Sequence, residues 1–374
     1  MRFVSALRNI VPYEPGAPMD LVMRRYGLEE VVKLASNEFP LPPFDEVKAV
    51  ITAALDALNR YPDGHATDLR AALAAHYGRA PEQIVVGNGS CELLLLLGNA
   101  LLEPGDEVVY AQPSFSLYPT VCLLHDAAAV EVPVRDYAHD LPAMVAAVTP
   151  RTRMLIICNP NNPTGTYVPA AAIAEVVAAV PDSVLVVLDE AYNEFVTAAD
   201  WQDTVALQTE HENVMTLRTF SKIYGLCGLR VGYGLCSEEL RQAIDKVRQP
   251  FNVNQLAQID AAEALKHQGQ VLERRVQNAD LREYMAAALR SMGRGIVPSQ
   301  ANYMLVGIED LCRPQEQVCE ALMQLGAIVR DGNALGCPGW ARVSVGTRQE
   351  IDFFLERLAS LEPAARPAQQ RGEL

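Results

Sequence analysis

The chain has 374 residues, half of them hydrophobic, which is enough to bury a large core and exceeds the size at which one core usually divides into two domains. A net charge of −15 without a basic tract excludes binding to nucleic acid or to an anionic membrane surface through bulk charge. An anionic small ligand therefore needs a local cluster of arginines and backbone amides.

The first forty residues predict an arm with little periodic structure, because three prolines and a glycine fall within "NIVPYEPGAP". Two stretches that follow, at 45–58 and 66–78, have the apolar spacing of helices. "QIVVGNGS" then predicts a short strand that ends in a polar turn, and "ELLLLLGNALL" predicts a buried helix.

From residue 106 onward the pattern alternates between strands and helices. Helical stretches such as "AAAIAEVVAAV" separate runs of Val, Ile and Leu. The predicted strands are "DEVVYAQP", "AAAVEVPV", "TRMLIICNP", "SVLVVLDEAY", "NVMTLRTF" and "LRVGYGL". Apolar strands separated by helices indicate an α/β domain with a mostly parallel sheet that is covered by helices on both faces.

Beyond residue 255 the pattern changes to long charged helices with three strands, "NYMLVGI", "GAIVRD" and "ARVSVG", which predict a smaller α+β unit. We therefore expect an N-terminal arm with part of the small domain (1–40), a large domain (41–255) and a C-terminal small domain (256–362). The polar tail 363–374 contains prolines and is predicted to be disordered.

Four clusters fall at the ends of predicted strands, where parallel α/β sheets bind ligands. "GNGSCE" lets the amides of a helix N-terminus approach an oxyanion, although a tight turn also explains it. "NPNNPTG" directs the side-chain amide of Asn162. "LDEAYNEF" ends an apolar strand with Asp189, which a helix cap or a salt bridge also explains. "TFSKIYGLCGLRVGYG" carries Lys222 and Arg230 in an apolar segment.

Together these clusters meet the requirements of one cofactor, pyridoxal 5′-phosphate. Lys222 can form a Schiff base with an aldehyde, and Asp189 can keep a pyridine nitrogen protonated. Asn162 and the Tyr192 hydroxyl can hydrogen-bond the phenolate oxygen, and Phe115 can stack on the ring. The groups expected around the phosphate are Thr219, Ser221, Arg230 and the backbone amides of Ser90 and Cys91.

The motifs "NPNNPTG", "DEAY" and "SKxxGLxGLRxGY" occur in this order, and the chain thereby resembles the fold-type I pyridoxal-phosphate aminotransferases. "YGLEEVVKLASNEFPLPP", "RYPDG", "PSQANY" and "ARVSVGT" are similar to histidinol-phosphate aminotransferases in particular. The resemblance implies a seven-stranded sheet in the large domain. It also implies a homodimer with shared sites, in which Tyr61 reaches the cofactor phosphate of the neighbouring subunit.

The resemblance also implies the reaction and its substrate contacts. The expected activity is ping-pong transamination, in which Lys222 moves a proton from the substrate α-carbon. Histidinol phosphate and 2-oxoglutarate would give imidazole-acetol phosphate and glutamate in histidine biosynthesis. Arg342 is expected to bind the carboxylate of glutamate or 2-oxoglutarate and, with Arg330, the phosphate of histidinol phosphate. Tyr13 is expected to close over the substrate, and Asn37 to contact it.

Several positions depart from the usual family pattern. Phe39 and Pro42 replace the asparagine and glycine of "NENPLGP", and Cys91 replaces an acidic residue. The cofactor contacts tolerate such changes, because stacking on Phe115 needs only an aromatic face and Cys91 acts through its amide. Asp331, in place of a proline, would weaken a phosphate site next to it.

Three alternatives therefore stay open at this point. The altered segment after Arg330 could suit an aromatic amino acid such as phenylalanine, and a threonine-phosphate decarboxylase is a near relative by resemblance. "DEAYNEF" and "KLASNE" favour the aminotransferase. A non-catalytic protein on the same scaffold would have no need for Lys222.

The remaining features bear on metals and compartment. The six histidines form no HxxxH or HxH pair, so we expect no metal site. The eight cysteines form no CxxC pair, and no apolar run approaches the roughly 18 residues of a membrane span. With an N-terminus that lacks the apolar core of a signal peptide, the sequence predicts a cytoplasmic protein with reduced thiols.

Overall fold

The computed structural model describes residues 1–12, 16–309, 311 and 315–361. The helices are Met19–Tyr26 (α1), Asp45–Ala54 (α2), Thr67–Tyr77 (α3), Ser90–Leu101 (α4), Leu117–Leu124 (α5), Leu141–Ala146 (α6), Ala170–Ala179 (α7), Val205–Glu210 (α8), Glu238–Val247 (α9), Gln255–Ala264 (α10), Gln268–Ser291 (α11), Gln315–Gln324 (α12) and Arg348–Ala359 (α13). The strands are Val32–Lys33 (β1), Ile84–Gly87 (β2), Glu107–Gln112 (β3), Ala128–Pro133 (β4), Thr152–Cys158 (β5), Leu185–Asp189 (β6), Val214–Thr219 (β7), Gly232–Leu235 (β8), Tyr303–Gly307 (β9), Ala327–Ile328 (β10), Arg330–Asp331 (β11) and Trp340–Ser344 (β12). The predicted tail 363–374 lies outside the described residues.

A seven-stranded sheet organises the larger part of the chain, in the order β2-β8-β7-β6-β5-β3-β4. Strands β3 to β7 are parallel to one another, whereas β8 is antiparallel to both β7 and β2. Every residue of β6 and β7 is buried, as expected for strands that are covered on both faces. The predicted mostly parallel sheet is therefore confirmed.

Successive residues of a strand point to opposite faces of the sheet and pack in two different hydrophobic clusters. Val187 of β6 packs in a cluster with α4 and α5 on one face of the sheet, while Val186 and Leu188 pack with α7 on the other. Helices α2, α3 and α10 enclose a further cluster around Phe220. These layers hold the carboxyl ends of the strands rigidly at one edge.

The smaller α+β unit has its own core. Strands β11, β12 and β9 form an antiparallel sheet, and β1 pairs in parallel with β10. Val32 and Leu34 from the N-terminal part pack in the same cluster as α11, α12 and α13. The domain boundaries remain predictions; α10, which follows the predicted boundary at 255, packs with α2 and α3.

The N-terminal arm contains a helix that the sequence analysis did not predict. Helix α1 follows the extended Pro18 and ends at Gly27, whose φ of 65° is readily adopted by glycine. Val22 of α1 is buried and packs with Val31 and Ile328. An eight-residue helix is marginal alone, so this packing stabilises it. Met19, Val22, Met23 and Tyr26 have helical spacing and Gly27 follows them, so the sequence carried a signal for this helix that the sequence analysis did not use. Among the described residues, no helix combines the length and apolar character needed to cross a membrane.

Candidate active site

The carboxyl ends of β5, β6 and β7 bring the predicted clusters together. Cys158 at the end of β5 is in register with Asp189 at the end of β6, which in turn is in register with Leu217 of β7. Thr219 ends β7 opposite Gly232 of β8. Residues that are far apart in the sequence therefore meet at one edge of the sheet.

Asp189 is buried with an incomplete set of hydrogen bonds. It is 3% exposed, and the Tyr118 hydroxyl donates to Oδ2 at 2.8 Å. Its other oxygen, Oδ1, is buried and has no hydrogen-bond partner among the described residues. Burial raises the pKa of Asp189 above its ordinary range, and the Tyr118 bond opposes this shift. A cationic N–H placed at Oδ1 would satisfy this carboxylate and keep it ionised.

Lys222 is half-buried and lies three residues after the end of β7, at the same edge of the sheet as Asp189. Its Nζ donates to the Asn37 carbonyl oxygen at 3.1 Å and lies 5.3 Å from the centre of the Tyr192 ring. Removal from water, and then the positive charge of Arg342, lower the pKa of Lys222 to about 8. A substantial neutral fraction is thus available near neutral pH, as a nucleophilic amine requires.

A candidate cradle for an anion lies at the N-terminus of α4. Arg230, with a left-handed φ of 60°, donates through Nη1 to Ser221 Oγ at 3.2 Å, and the Ser221 backbone N–H donates to Thr219 Oγ1 at 3.0 Å. A Cβ added at Gly89 would stand 2.7 Å from Arg230 Nη2, and Gly89 has a positive φ of 83°, so glycine suits this close approach of the guanidinium to the helix end. The amides of Ser90 and Cys91 open α4 beside it.

The remaining predicted cofactor contacts lie around the same space. Asn162 is buried, and its Oδ1 accepts from Arg342 Nη1 at 2.6 Å. The Tyr192 hydroxyl accepts from Asn37 Nδ2 at 3.0 Å. Phe115 packs edge-on against Tyr118, with 5.8 Å between ring centres, and so lies next to the partner of Asp189.

The two predicted substrate arginines are direct cross-strand neighbours. Arg330 of β11 lies in register with Arg342 of β12, so both side chains are on the same face of the small sheet. Arg342 is buried and also donates through Nη2 to the Ala35 carbonyl oxygen at 2.9 Å. Asp331 is the next residue of β11, and its Oδ1 accepts from the Asn333 backbone N–H at 2.9 Å. Strand alternation directs Asp331 to the opposite face from Arg330.

Two predicted residues stand apart from this group. The Tyr61 side chain is 81% exposed, and its ring stacks on Phe251 with 4.6 Å between centres. Its role in a neighbouring subunit remains a prediction. Tyr13 lies outside the described residues.

The structure adds residues that the sequence analysis gave no role. Tyr118 follows Phe115 by three positions in "QPSFSLYP", so helical spacing could have placed it near the site. Asn302 and Ser344 lie within the quoted motifs "PSQANY" and "ARVSVGT", and both contact Asn37. Behind the site, Arg218 forms a buried ion pair with Glu190, the neighbour of Asp189, at 2.7 Å.

A lysine after β7, an aspartate at the end of β6 and an anion cradle at the N-terminus of α4 define a class of protein, the pyridoxal-phosphate-dependent enzymes of fold type I. Residues 29–358 match the family model described as aminotransferase class I and II. The chain belongs to this family.

Individual relatives agree with this assignment. The chain is 44% identical over 358 residues to histidinol-phosphate aminotransferase of Moorella thermoacetica, covering 96% of this chain and 92% of that protein. It is 45% identical over 365 residues to histidinol-phosphate aminotransferase 2 of Ralstonia nicotianae, covering 96% and 98%. The resemblance inferred from the motifs is therefore confirmed.

Two solved structures share the fold. Histidinol-phosphate aminotransferase from Sinorhizobium meliloti, in complex with pyridoxal 5′-phosphate, superposes with a TM-score of 0.87 at 28% identity over 96% of each chain. Thermus thermophilus aspartate aminotransferase with maleate superposes with a TM-score of 0.84 at 25% identity, over 96% of this chain and 99% of the other. Both are aminotransferases, in line with the family assignment.

Proposed function

We propose that this aminotransferase uses histidinol phosphate as amino donor and 2-oxoglutarate as acceptor, forming imidazole-acetol phosphate and glutamate in histidine biosynthesis. The observation that carries the choice of donor is the cross-strand pair of Arg330 and Arg342. The names of the relatives that are 44% and 45% identical support the same choice.

The arginine pair suits a doubly charged group. Like charges directly opposite each other in an antiparallel pair are destabilising, and a phosphate held by both guanidiniums relieves that repulsion. Histidinol phosphate has no α-carboxylate, so its phosphate is its main charged group. Asp331 does not compete on this face, because alternation turns its side chain to the other side of β11.

Arg342 also connects the substrate to the cofactor site. Its Nη1 holds Asn162, which we assign to the phenolic oxygen of the cofactor. The same guanidinium is our candidate for the carboxylate of glutamate or 2-oxoglutarate, which it can bind with two parallel hydrogen bonds. One arginine thereby serves both half-reactions.

The residues at the sheet edge fit pyridoxal 5′-phosphate. The buried Asp189 Oδ1 is suited to accept from the ring N–H, and the space at Gly89 leaves room for Arg230 beside a phosphate. We assign Asn162 and Tyr192 to the phenolic oxygen and Phe115 to the ring face. The phosphate contacts are assigned to Thr219, Ser221, Arg230 and the amides of Ser90 and Cys91.

When bound, the cofactor supplies an aldehyde that takes up the amino group and a protonated ring that withdraws electrons from the substrate. Asp189 stabilises the ring proton because the carboxylate is held in a buried site. Lys222 Nζ takes the proton from the substrate α-carbon. A pKa of about 8 in place of 10.5 raises its neutral fraction at pH 7 by roughly 300-fold, which makes it a competent base.

We further propose a homodimer with shared active sites in the cytoplasm. Leu55, Leu58, Tyr61 and Phe251 are each at least 44% exposed, and Tyr61 stacks on Phe251, so these side chains offer apolar surface that a neighbouring subunit could cover. If a neighbouring subunit covers these side chains, Tyr61 of one subunit can approach the cofactor phosphate site of the other. The seven cysteines among the described residues are free thiols, which suits a reducing compartment.

A panel of amino donors assayed against 2-oxoglutarate tests the substrate. We expect histidinol phosphate to have the highest kcat/KM, ahead of unphosphorylated histidinol and phenylalanine. A higher kcat/KM for phenylalanine would identify an aromatic aminotransferase. Release of carbon dioxide from threonine phosphate would identify a decarboxylase.

A further inference from the structure

Asn37 connects the small domain to the active-site lysine. Its backbone carbonyl oxygen accepts from Lys222 Nζ at 3.1 Å, and its side-chain Nδ2 donates to the Tyr192 hydroxyl at 3.0 Å. On its other side, its backbone N–H donates to Ser344 Oγ at 2.9 Å. The buried Asn37 thus contacts Lys222 and Tyr192, the two side chains assigned to the reaction, and a hydrogen bond to Ser344 of β12 links it to the small sheet.

Asn37 needs such support because of its backbone conformation. Its φ of 54° lies in the left-handed region, which asparagine adopts more readily than other non-glycine L-residues but still at some cost, so surrounding contacts help to hold it. It is 2% exposed, so water does little to hold its carbonyl group. The position of the acceptor for Lys222 therefore depends on neighbouring protein donors.

Asn302 supplies the second donor to that carbonyl. It precedes β9 and is fully buried, and its Nδ2 donates to the Asn37 oxygen at 3.1 Å and to the Glu38 oxygen at 3.2 Å. Its own Oδ1 is buried without a hydrogen-bond partner among the described residues. A buried amide oxygen without a hydrogen bond costs stability. We therefore look for the role of Asn302 in its Nδ2 group, which donates to the carbonyl oxygens of residues 37 and 38.

We propose that Asn302 is a positioning residue: it fixes the Asn37 carbonyl where the Lys222 amine binds and so couples the small domain to proton transfer by Lys222. The inference rests on the role given to Lys222 in the proposed function. Proton transfer is efficient only when donor and acceptor atoms are held close and aligned. A loosened Asn37 carbonyl would let the amine occupy positions from which transfer is slow.

The test compares Asn302→Ala and Asn302→Leu with the matched control Asn278→Ala. Asn278 of α11 is also buried, donates to the Ala301 carbonyl oxygen at 3.4 Å, and has an Oδ1 without a partner in the described chain. Asn278 therefore contacts the residue next to Asn302 but makes no hydrogen bond to Asn37 among the described residues. The first readout is the set of kcat, KM and the deuterium isotope effect on kcat, measured in the first half-reaction with an amino donor that carries hydrogen or deuterium on its α-carbon.

We expect Asn302→Ala to lower kcat of this half-reaction about tenfold, with KM changed less than about twofold, because the buried hydrogen bonds that hold the carbonyl groups of residues 37 and 38 are lost. The deuterium isotope effect on kcat should rise as proton transfer becomes more rate-limiting. Asn302→Leu nearly keeps the volume but offers no donor to the two carbonyls, and should lose at least as much. Asn278→Ala should keep the wild-type isotope effect.

The second readout needs no cofactor. Acetic anhydride acylates the cofactor-free protein, and mass spectrometry compares Lys222 with the exposed Lys266 as internal reference. Lys222 should be acylated faster in both Asn302→Ala and Asn302→Leu than in the wild-type protein, and at the wild-type rate in Asn278→Ala. Wild-type isotope effects and acylation rates in Asn302→Leu would overturn the proposal, even if Asn302→Ala fails to fold. If no donor is turned over by the wild-type enzyme, the proposed function fails, and acylation still decides the role of Asn302.

Discussion

Replacing Arg330 with alanine should damage the reaction of histidinol phosphate much more than that of unphosphorylated histidinol. Arg330 is half-buried on β11, opposite Arg342 on β12, and the change removes one of the two guanidiniums on that face. It is the better choice for truncation, because Arg342 also holds Asn162 and the Ala35 carbonyl oxygen. Arg342→Ala would remove the guanidinium that donates to Asn162 Oδ1 and to the Ala35 carbonyl oxygen, so it would also disturb the cofactor site.

The magnitude follows from the kind of contact that is lost. A hydrogen bond to a charged group contributes roughly 1.5–3 kcal/mol, which corresponds to about 10- to 150-fold in kcat/KM. The assay is the first half-reaction of the purified enzyme, measured with histidinol phosphate and with histidinol. The ratio of the two kcat/KM values should fall by this factor in Arg330→Ala. The ratio cancels any general loss of active enzyme.

Arg348→Ala is the matched control. This arginine begins α13 on the exposed side of the small domain and pairs with Asp352 at 3.0 Å, so its removal changes the net charge equally without touching the site. The ratio should stay at the wild-type value. Equal losses for the phosphorylated and unphosphorylated substrates in Arg330→Ala would refute the phosphate role and favour a donor that carries a carboxylate.

Three other predictions follow from the same site. Borohydride treatment of the cofactor-loaded protein should attach a pyridoxyl group to Lys222, and peptide mapping would contradict this if the label were on Lys33, Lys48, Lys246 or Lys266. In the cofactor-free protein, uptake of pyridoxal 5′-phosphate should become faster as the pH rises through about 8, because the free Lys222 amine then loses its proton, and a rate that does not change with pH in this range would contradict the lowered pKa. Tyr118→Phe removes the 2.8 Å bond that opposes the upward pKa shift of Asp189, so kcat should fall about tenfold or more, and an unchanged kcat would show that Asp189 needs no such partner. If sites are shared, refolding Tyr61→Ala together with Lys222→Ala should regain activity, because one site of the mixed dimer then carries neither change; a mixture no more active than its components would argue against shared sites.

The sequence by itself determined the central sheet and the chemistry at its edge. The unbroken apolar runs of β6 and β7 can be stable only when both faces are covered, which requires helices between the strands. Parallel strands then align their carboxyl ends, so Asp189, Thr219 and Lys222 had to meet there. This inference needs only local hydrophobicity and chain order.

The tertiary structure decided which side chains support that chemistry. Tyr118 reaches Asp189 only because α5 packs against the same face of the sheet, and Asn302 reaches Asn37 across the junction with the N-terminal part. The pairing of Arg330 with Arg342 depends on strand register, because a slip of one residue would place the two side chains on opposite faces. Register and packing angle are set by the whole core rather than by any local pattern, and this is why these contacts emerge only from the folded chain.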